Sequence, residues 1–169
     1  MTSMIIMTLS LLLDGILTNY LPYLPNDLSF FTPSLTLISV FLIYPFYKKN
    51  KKKYRITIFI LGFLYDLFYT NLFFYNAIIY LLLGYLIEWI NKNLEISFLR
   101  NIFYLALLII LYESINALII LIFHFVPMTL DRLIYKISHT LLLNIIYGEI
   151  IYLIIKIIPK KYKKISINE

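Results

Sequence analysis

Long apolar runs separated by short polar or proline-bearing breaks organise this chain. One run, Ile56-Thr57-Ile58-Phe59-Ile60-Leu61-Gly62-Phe63-Leu64-Tyr65-Asp66-Leu67-Phe68-Tyr69, is entered directly from the basic cluster Lys48 to Arg55. Its length and apolar character predict a helix over about 56–71, and the same pattern predicts others at about 4–21, 31–47, 76–91, 101–125 and 137–158. Pro22 and Pro25 mark the first turn, Pro127 the fifth and Pro159 the end of the sixth helix. Pro33 and Pro45 fall near the ends of the second helix, where a proline is best tolerated. The period-two alternation of a membrane β-barrel is missing, and no internal repeat is evident.

Composition turns this pattern into a class. Hydrophobic residues make up 62% of the 169 positions and the mean hydropathy is +0.85, more than a soluble core with its polar shell needs. The expected fold is an all-α integral membrane protein, a compact bundle of about six transmembrane helices forming one domain over 1–169. Met1-Thr2-Ser3-Met4 lacks the basic start of a secretory signal and no small-residue cleavage site follows, so the first helix is expected to be retained. Charge gives the orientation. Lys48, Lys49, Lys51, Lys52, Lys53, Arg55, Lys92, Arg100, Lys156, Lys160, Lys161, Lys163 and Lys164 fall on one side if six helices cross. That is 13 of the 15 basic residues, with only Arg132 and Lys136 opposite. The positive-inside rule then puts both termini in the cytoplasm. Anionic lipid at the basic loops suits the net charge of +6, and nucleic acid is not required.

Four carboxyls interrupt the apolar runs: Asp14, Asp66, Glu113 and Glu149. At about 1.5 Å per residue, Asp66 is roughly 16 Å beyond Arg55, near the middle of a bilayer. A carboxylate there costs about 2.5–3.5 kcal/mol on insertion scales. Gly62, one turn earlier on the same face, lets another helix approach closely, so Gly62 and Asp66 mark an expected packing or partner interface, with Asn76 and Gly84 on the following helix. Every Lys and Arg is expected at a helix end or in a loop, leaving these four carboxyls without a cation at their depth. Candidate donors are Asn19, Asn116, His139, Thr140, Asn144 and several tyrosines. The embedded polar set is thus Asp14, Glu113, His139, Asn144 and Glu149. It fits either a proton or substrate pathway or interhelical hydrogen bonding, and the second is preferred because membrane interfaces commonly use polar side chains this way. Glu88 and Glu95, near the cytoplasmic end, are expected to be solvated.

Catalytic and cofactor signatures are missing from the sequence. There is no cysteine, hence no disulfide or thiolate chemistry. His124 and His139 have no second ligand at regular spacing, so no metal is expected. No phosphate loop, HExxH or Ser/His/Asp order occurs, and the four glycines (Gly15, Gly62, Gly84 and Gly148) all fall within predicted helices. No catalytic residue and no cofactor are therefore assigned, and an enzyme is not expected. Tyr20, Tyr23, Tyr44, Tyr47, Tyr54, Trp89, Tyr104 and Tyr162 are expected at the membrane surfaces, where amphipathic rings settle.

Four stretches carry a family resemblance. Thr32-Pro33-Ser34-Leu35-Thr36-Leu37, Gly62-Phe63-Leu64-Tyr65-Asp66-Leu67, Asn76-Ala77 through Leu86, and His139-Thr140-Leu141-Leu142-Leu143-Asn144 through Tyr152 resemble MreD, the membrane subunit of the bacterial rod-shape system, or elongasome. The sequence departs from that pattern at Phe73-Phe74, where the family often has a glycine before the Asn-Ala pair. The resemblance implies a scaffold rather than an enzyme. Its partners would be the bitopic protein MreC, other elongasome membrane proteins and, through them, MreB filaments and the peptidoglycan synthases. The alternative of similar length and helix count is the substrate-binding subunit of an energy-coupling-factor vitamin transporter. It is weakened because the first helix has few small residues for docking and the outer loops are short.

Overall fold

The computed structural model describes residues 2–20, 33–70, 72–93, 98–123 and 129–157, except the side chains of residues 19, 20, 92, 93, 98, 99 and 157. Six helices account for nearly all of this: α1 Thr2–Tyr20, α2 Leu35–Tyr47, α3 Lys51–Tyr69, α4 Tyr75–Asn93, α5 Phe98–Phe123 and α6 Leu130–Ile157. Pro22, Pro25, Pro127, Pro159, His124, Glu95 and the lysines after Lys156 lie outside the described residues, as do the side chains of Asn19 and Lys92.

Helix starts depart most from the sequence pattern. α3 begins at Lys51 because Asn50 caps it, its Oδ1 accepting from the Lys53 N–H at 2.9 Å. The basic cluster is therefore the first turn of the helix, and Asp66 lies one turn from its C-terminal end. α6 starts at Leu130, so Arg132 and Lys136 are helical and not in a loop. α2 starts at Leu35 and spans only 13 residues, about 20 Å at helical rise.

That short helix is the core. Residues 35–44 and Tyr47 are all buried, and α2 touches each of the other five helices. Apart from Thr36 and Ser39 its buried residues are apolar on all sides, as suits a helix packed all round. α3 and α4 form the most extensive hairpin, α5 and α6 the next, and α1 lies along α2. Tyr54 is completely buried; its hydroxyl donates to the Val40 carbonyl at 3.0 Å and its ring meets Tyr44 and Tyr47. Tyr44, Tyr47, Tyr54 and Tyr104 are thus core residues, which corrects the surface-belt expectation for them, whereas Trp89 is exposed.

Two helical segments, Arg100–Phe123 and Leu130–Lys156, are long and apolar enough to cross a membrane. Thr2–Thr18 and Leu35–Tyr47 are apolar but shorter. Large apolar side chains stand exposed on the outer faces, among them Ile5, Phe68, Leu82, Ile122 and Leu142. Contiguous apolar exposure of this kind suits lipid or a partner chain rather than water.

Candidate functional site: two carboxylates that seat helix starts

A helix start leaves backbone N–H groups without intrahelical partners, and burying them unsatisfied is costly. Both α2 and α4 start in the protein interior, and each is satisfied by an aspartate from the helix before it. Ser34 occupies the N-cap of α2 but its side chain does not cap. Instead Asp14 of α1 accepts from the Leu35 N–H at 2.8 Å and the Thr36 N–H at 2.7 Å, and from the Thr36 hydroxyl. Asn144, halfway along α6, accepts from the Ser34 N–H at 2.8 Å and is anchored by donating to the Thr140 carbonyl. Ser10 and the Tyr147 hydroxyl, 2.6 Å apart, tie α1 to α6 beside this seat.

Asp66 does the same for α4. Its carboxylate accepts from the Asn76 N–H at 2.8 Å, the Asn76 side-chain amide at 2.8 Å and the Ala77 N–H at 3.3 Å. Thr70 adds a hydroxyl at 2.9 Å. Gly62 makes the approach possible: a Cβ there would stand 2.6 Å from the Ala77 Cα and 2.7 Å from the Asn76 carbonyl oxygen. Tyr112 of α5 donates to the Asn76 Oδ1 at 2.7 Å, and Tyr75 donates to Asn116 at 2.6 Å, which join α5 to the seat. Gly84 belongs to the same α3–α4 contact farther along, facing the end of the Ile58 side chain.

The turn before α4 is built without the family's glycine. Phe74 adopts φ 62, a left-handed conformation rare for a bulky side chain. Its ring stacks on Phe63 at 5.0 Å and near Phe59 at 6.2 Å. The aromatic contact holds a backbone shape that glycine would adopt freely.

The remaining polar residues separate into local pairs. Glu113, 1% exposed, meets the Lys136 ammonium at 2.8 Å. This overturns the expectation that no cation reaches the four carboxyls; starting α6 early puts Lys136 alongside α5. Glu88 is buried, not solvated. Arg55 holds both its oxygens at 2.8 Å while lying 4.3 Å over the Tyr85 ring. Glu149 accepts from the Asn101 side chain at 2.6 Å. His139 is not brought to this polar set: it lies on the exposed face of α6, its ring 4.0 Å from that of Tyr135.

Sequence reasoning looked for side-chain donors to the aspartates and missed the backbone N–H groups of two helix starts. The available signal was positional: Pro33-Ser34 and Tyr75-Asn76 open helices that lack a helix-capping side chain of their own in working position. Chemically, the two aspartates spend their acceptors on the fold. They fix where α2 and α4 begin and at what height against α1 and α3.

The residues that form these seats lie largely in the stretches that carry the resemblance: Leu35 and Thr36, Gly62 and Asp66, Asn76 and Ala77, and Asn144. A family model described as rod shape-determining protein MreD matches residues 1–162. No curated protein and no solved structure gives a match. The chain belongs to the MreD family, and with it to the machinery of rod-shape determination.

Proposed function

We propose that this chain is a non-catalytic membrane scaffold of the cell-wall elongation complex. It binds an MreC-type bitopic protein and so helps couple MreB filaments to peptidoglycan synthesis. The observation that carries this reading is the use of the polar interior: Asp14 and Asp66 are taken up in holding helix starts, which suits a rigid platform. Family membership supports the setting. Exposed apolar faces on α1, α3, α5 and α6 offer surface to membrane-borne partners, where association rests on close packing and interhelical hydrogen bonds.

In this reading all six helices lie in the cytoplasmic membrane with both termini inside, and α2 spans only the part nearest the basic turn. Reporter fusions after Asn50 and after Glu169 should both read cytoplasm; an external readout at either overturns the topology. Affinity-tagged chain should recover MreC from detergent extracts, and depletion in a rod-shaped host should give rounded cells. Failure to recover MreC, together with vitamin uptake that depends on this chain, would replace the scaffold by the transporter subunit.

A further inference from the structure

Large apolar side chains crowd the α3–α4 turn and face away from the protein. Phe73 is 76% exposed, and Leu72, Phe74, Leu67 and Phe68 stand exposed beside it. The described polar side chains at this end do the opposite. Thr70 and Asn76 bond Asp66, the Tyr69 hydroxyl donates to the Leu11 carbonyl at 2.7 Å, and Tyr75 and Tyr112 close on Asn116 and Asn76. A turn in water has the reverse arrangement, with polar groups outward and large apolar ones covered.

Two lengths place this turn. The Arg55–Glu88 ion pair lies one helical turn past the exposed Lys51 and marks the cytoplasmic boundary. Tyr69 is 14 positions after Arg55 and Tyr75 is 13 before Glu88, so the turn stands about 20 Å from that pair. A hydrocarbon core is about 30 Å thick, which leaves the turn about 10 Å short of the far surface. The second length comes from α5. It bonds the start of α4 from Tyr112 and Asn116, then runs on over residues 117–123 without a polar side chain, about 10 Å farther. Phe123 closes a segment long and apolar enough to cross a membrane, and among the described residues α3 and α4 contain no such segment.

We propose that α3–α4 is a re-entrant hairpin, an inference that rests on the reading that all six helices lie in the membrane. It enters and leaves on the cytoplasmic side, and its aromatic tip packs against acyl chains of the outer leaflet. Both termini stay inside, because a hairpin that turns within the bilayer leaves the sidedness of the other helices unchanged. Phenylalanines in place of the family's glycine suit such a tip. Their rings add apolar contact, and Asp66 takes up the Asn76 and Ala77 N–H groups, which lipid could not do.

Tryptophan fluorescence in vesicles of brominated phosphatidylcholines tests this, because the full chain has a single tryptophan, Trp89, near the end of α4. In the wild-type chain Trp89 should be quenched most by lipid brominated near the headgroup. In the double variant Trp89→Phe, Phe73→Trp the new indole should emit at shorter wavelength and lose most intensity to lipid brominated far along the acyl chain. Aqueous iodide should leave it unquenched. The chain also lacks cysteine, so Phe73→Cys gives an independent readout. In right-side-out and inside-out vesicles, a membrane-impermeant maleimide should label Arg132→Cys from outside, but Phe73→Cys from neither side until detergent dissolves the membrane. Strongest quenching near the headgroup, iodide quenching or outside labelling at position 73, with Trp89 at its expected depth, overturns the re-entrant hairpin and leaves the membrane reading standing. An indole shielded from every brominated lipid and from iodide overturns it too, since protein would then cover the tip. A Trp89 that no lipid quenches removes the membrane reading and this inference with it.

Discussion

Gly62→Ala and Gly84→Ala add the same methyl group to the same helix pair, and their effects should differ sharply. At Gly62 the new Cβ would meet backbone: the Ala77 Cα at 2.6 Å, the Asn76 oxygen at 2.7 Å and the Ala77 nitrogen at 2.8 Å. Ordinary carbon contacts need about 3.5–4.0 Å, so the start of α4 must retreat by about 1 Å. The same residues donate to Asp66, and a 2.8 Å hydrogen bond stretched by that much is no longer one. Overpacking costs about 1–3 kcal/mol and the damaged cap about 1–2 kcal/mol more. The higher helix propensity of alanine offsets about 1 kcal/mol, leaving a net loss of about 1–4 kcal/mol. At Gly84 the nearest atom is the flexible tip of Ile58, which can change rotamer, so the loss should stay below about 1 kcal/mol. Reversible denaturation in mixed detergent micelles, or melting followed by size-exclusion chromatography, ranks the two variants. Equal behaviour of Gly62→Ala and Gly84→Ala would show that α4 does not depend on the backbone seat.

Asp14→Asn replaces one acceptor oxygen by an NH₂ group facing the Leu35 or Thr36 N–H. We expect a loss of about 1–3 kcal/mol in the same denaturation assay, larger for Asp14→Leu; wild-type stability of the leucine variant would refute the capping role. Lys136→Met strands the buried Glu113 charge and should reduce accumulation in the membrane. Adding Glu113→Gln should restore most of it, and a double variant no better than the single one would show the pair is not coupled. At the left-handed turn, Phe74→Gly should be more stable than Phe74→Ala by about 1 kcal/mol, since both lose the Phe63 stack but only glycine relieves the backbone. Equal melting temperatures would place the strain elsewhere.

Helix number and order were readable from the sequence because apolar runs and prolines report local preference. Helix starts were less so, since a start is set by whatever satisfies its N–H groups. Where the cap is local, as at Asn50, a close reading of the sequence could have moved α3 back to Lys51. Where it comes from 21 residues away, as from Asp14 to Leu35, no window of sequence contains both partners. The same limit explains Glu88 and Glu113. Their cations, Arg55 and Lys136, sit 33 and 23 positions away and reach them only once α3 pairs with α4 and α5 with α6. Gly62 and Asp66 could be singled out early because both lie on one face of one helix. What they hold could not, because Asn76 and Ala77 enter from the next.

The two seats also explain how a 13-residue helix can be the centre of the bundle. A helix that starts inside a protein exposes a partial positive charge and several unsatisfied donors, and in an apolar interior neither is screened. A full carboxylate opposite that start answers both at once, and the dipole in turn stabilises the buried charge. The cost of burying Asp14 and Asp66 is thus offset in part by the helices they face. The α1–α2 and α3–α4 pairs solve the same problem with the same residue type, although their sequences show no repeat. In both, the aspartate belongs to the preceding helix, so the depth at which α2 or α4 begins is locked to its neighbour rather than to a lipid boundary. A bundle built this way keeps the relative heights of its helices whatever surrounds it, which is the property that the proposed scaffold role requires.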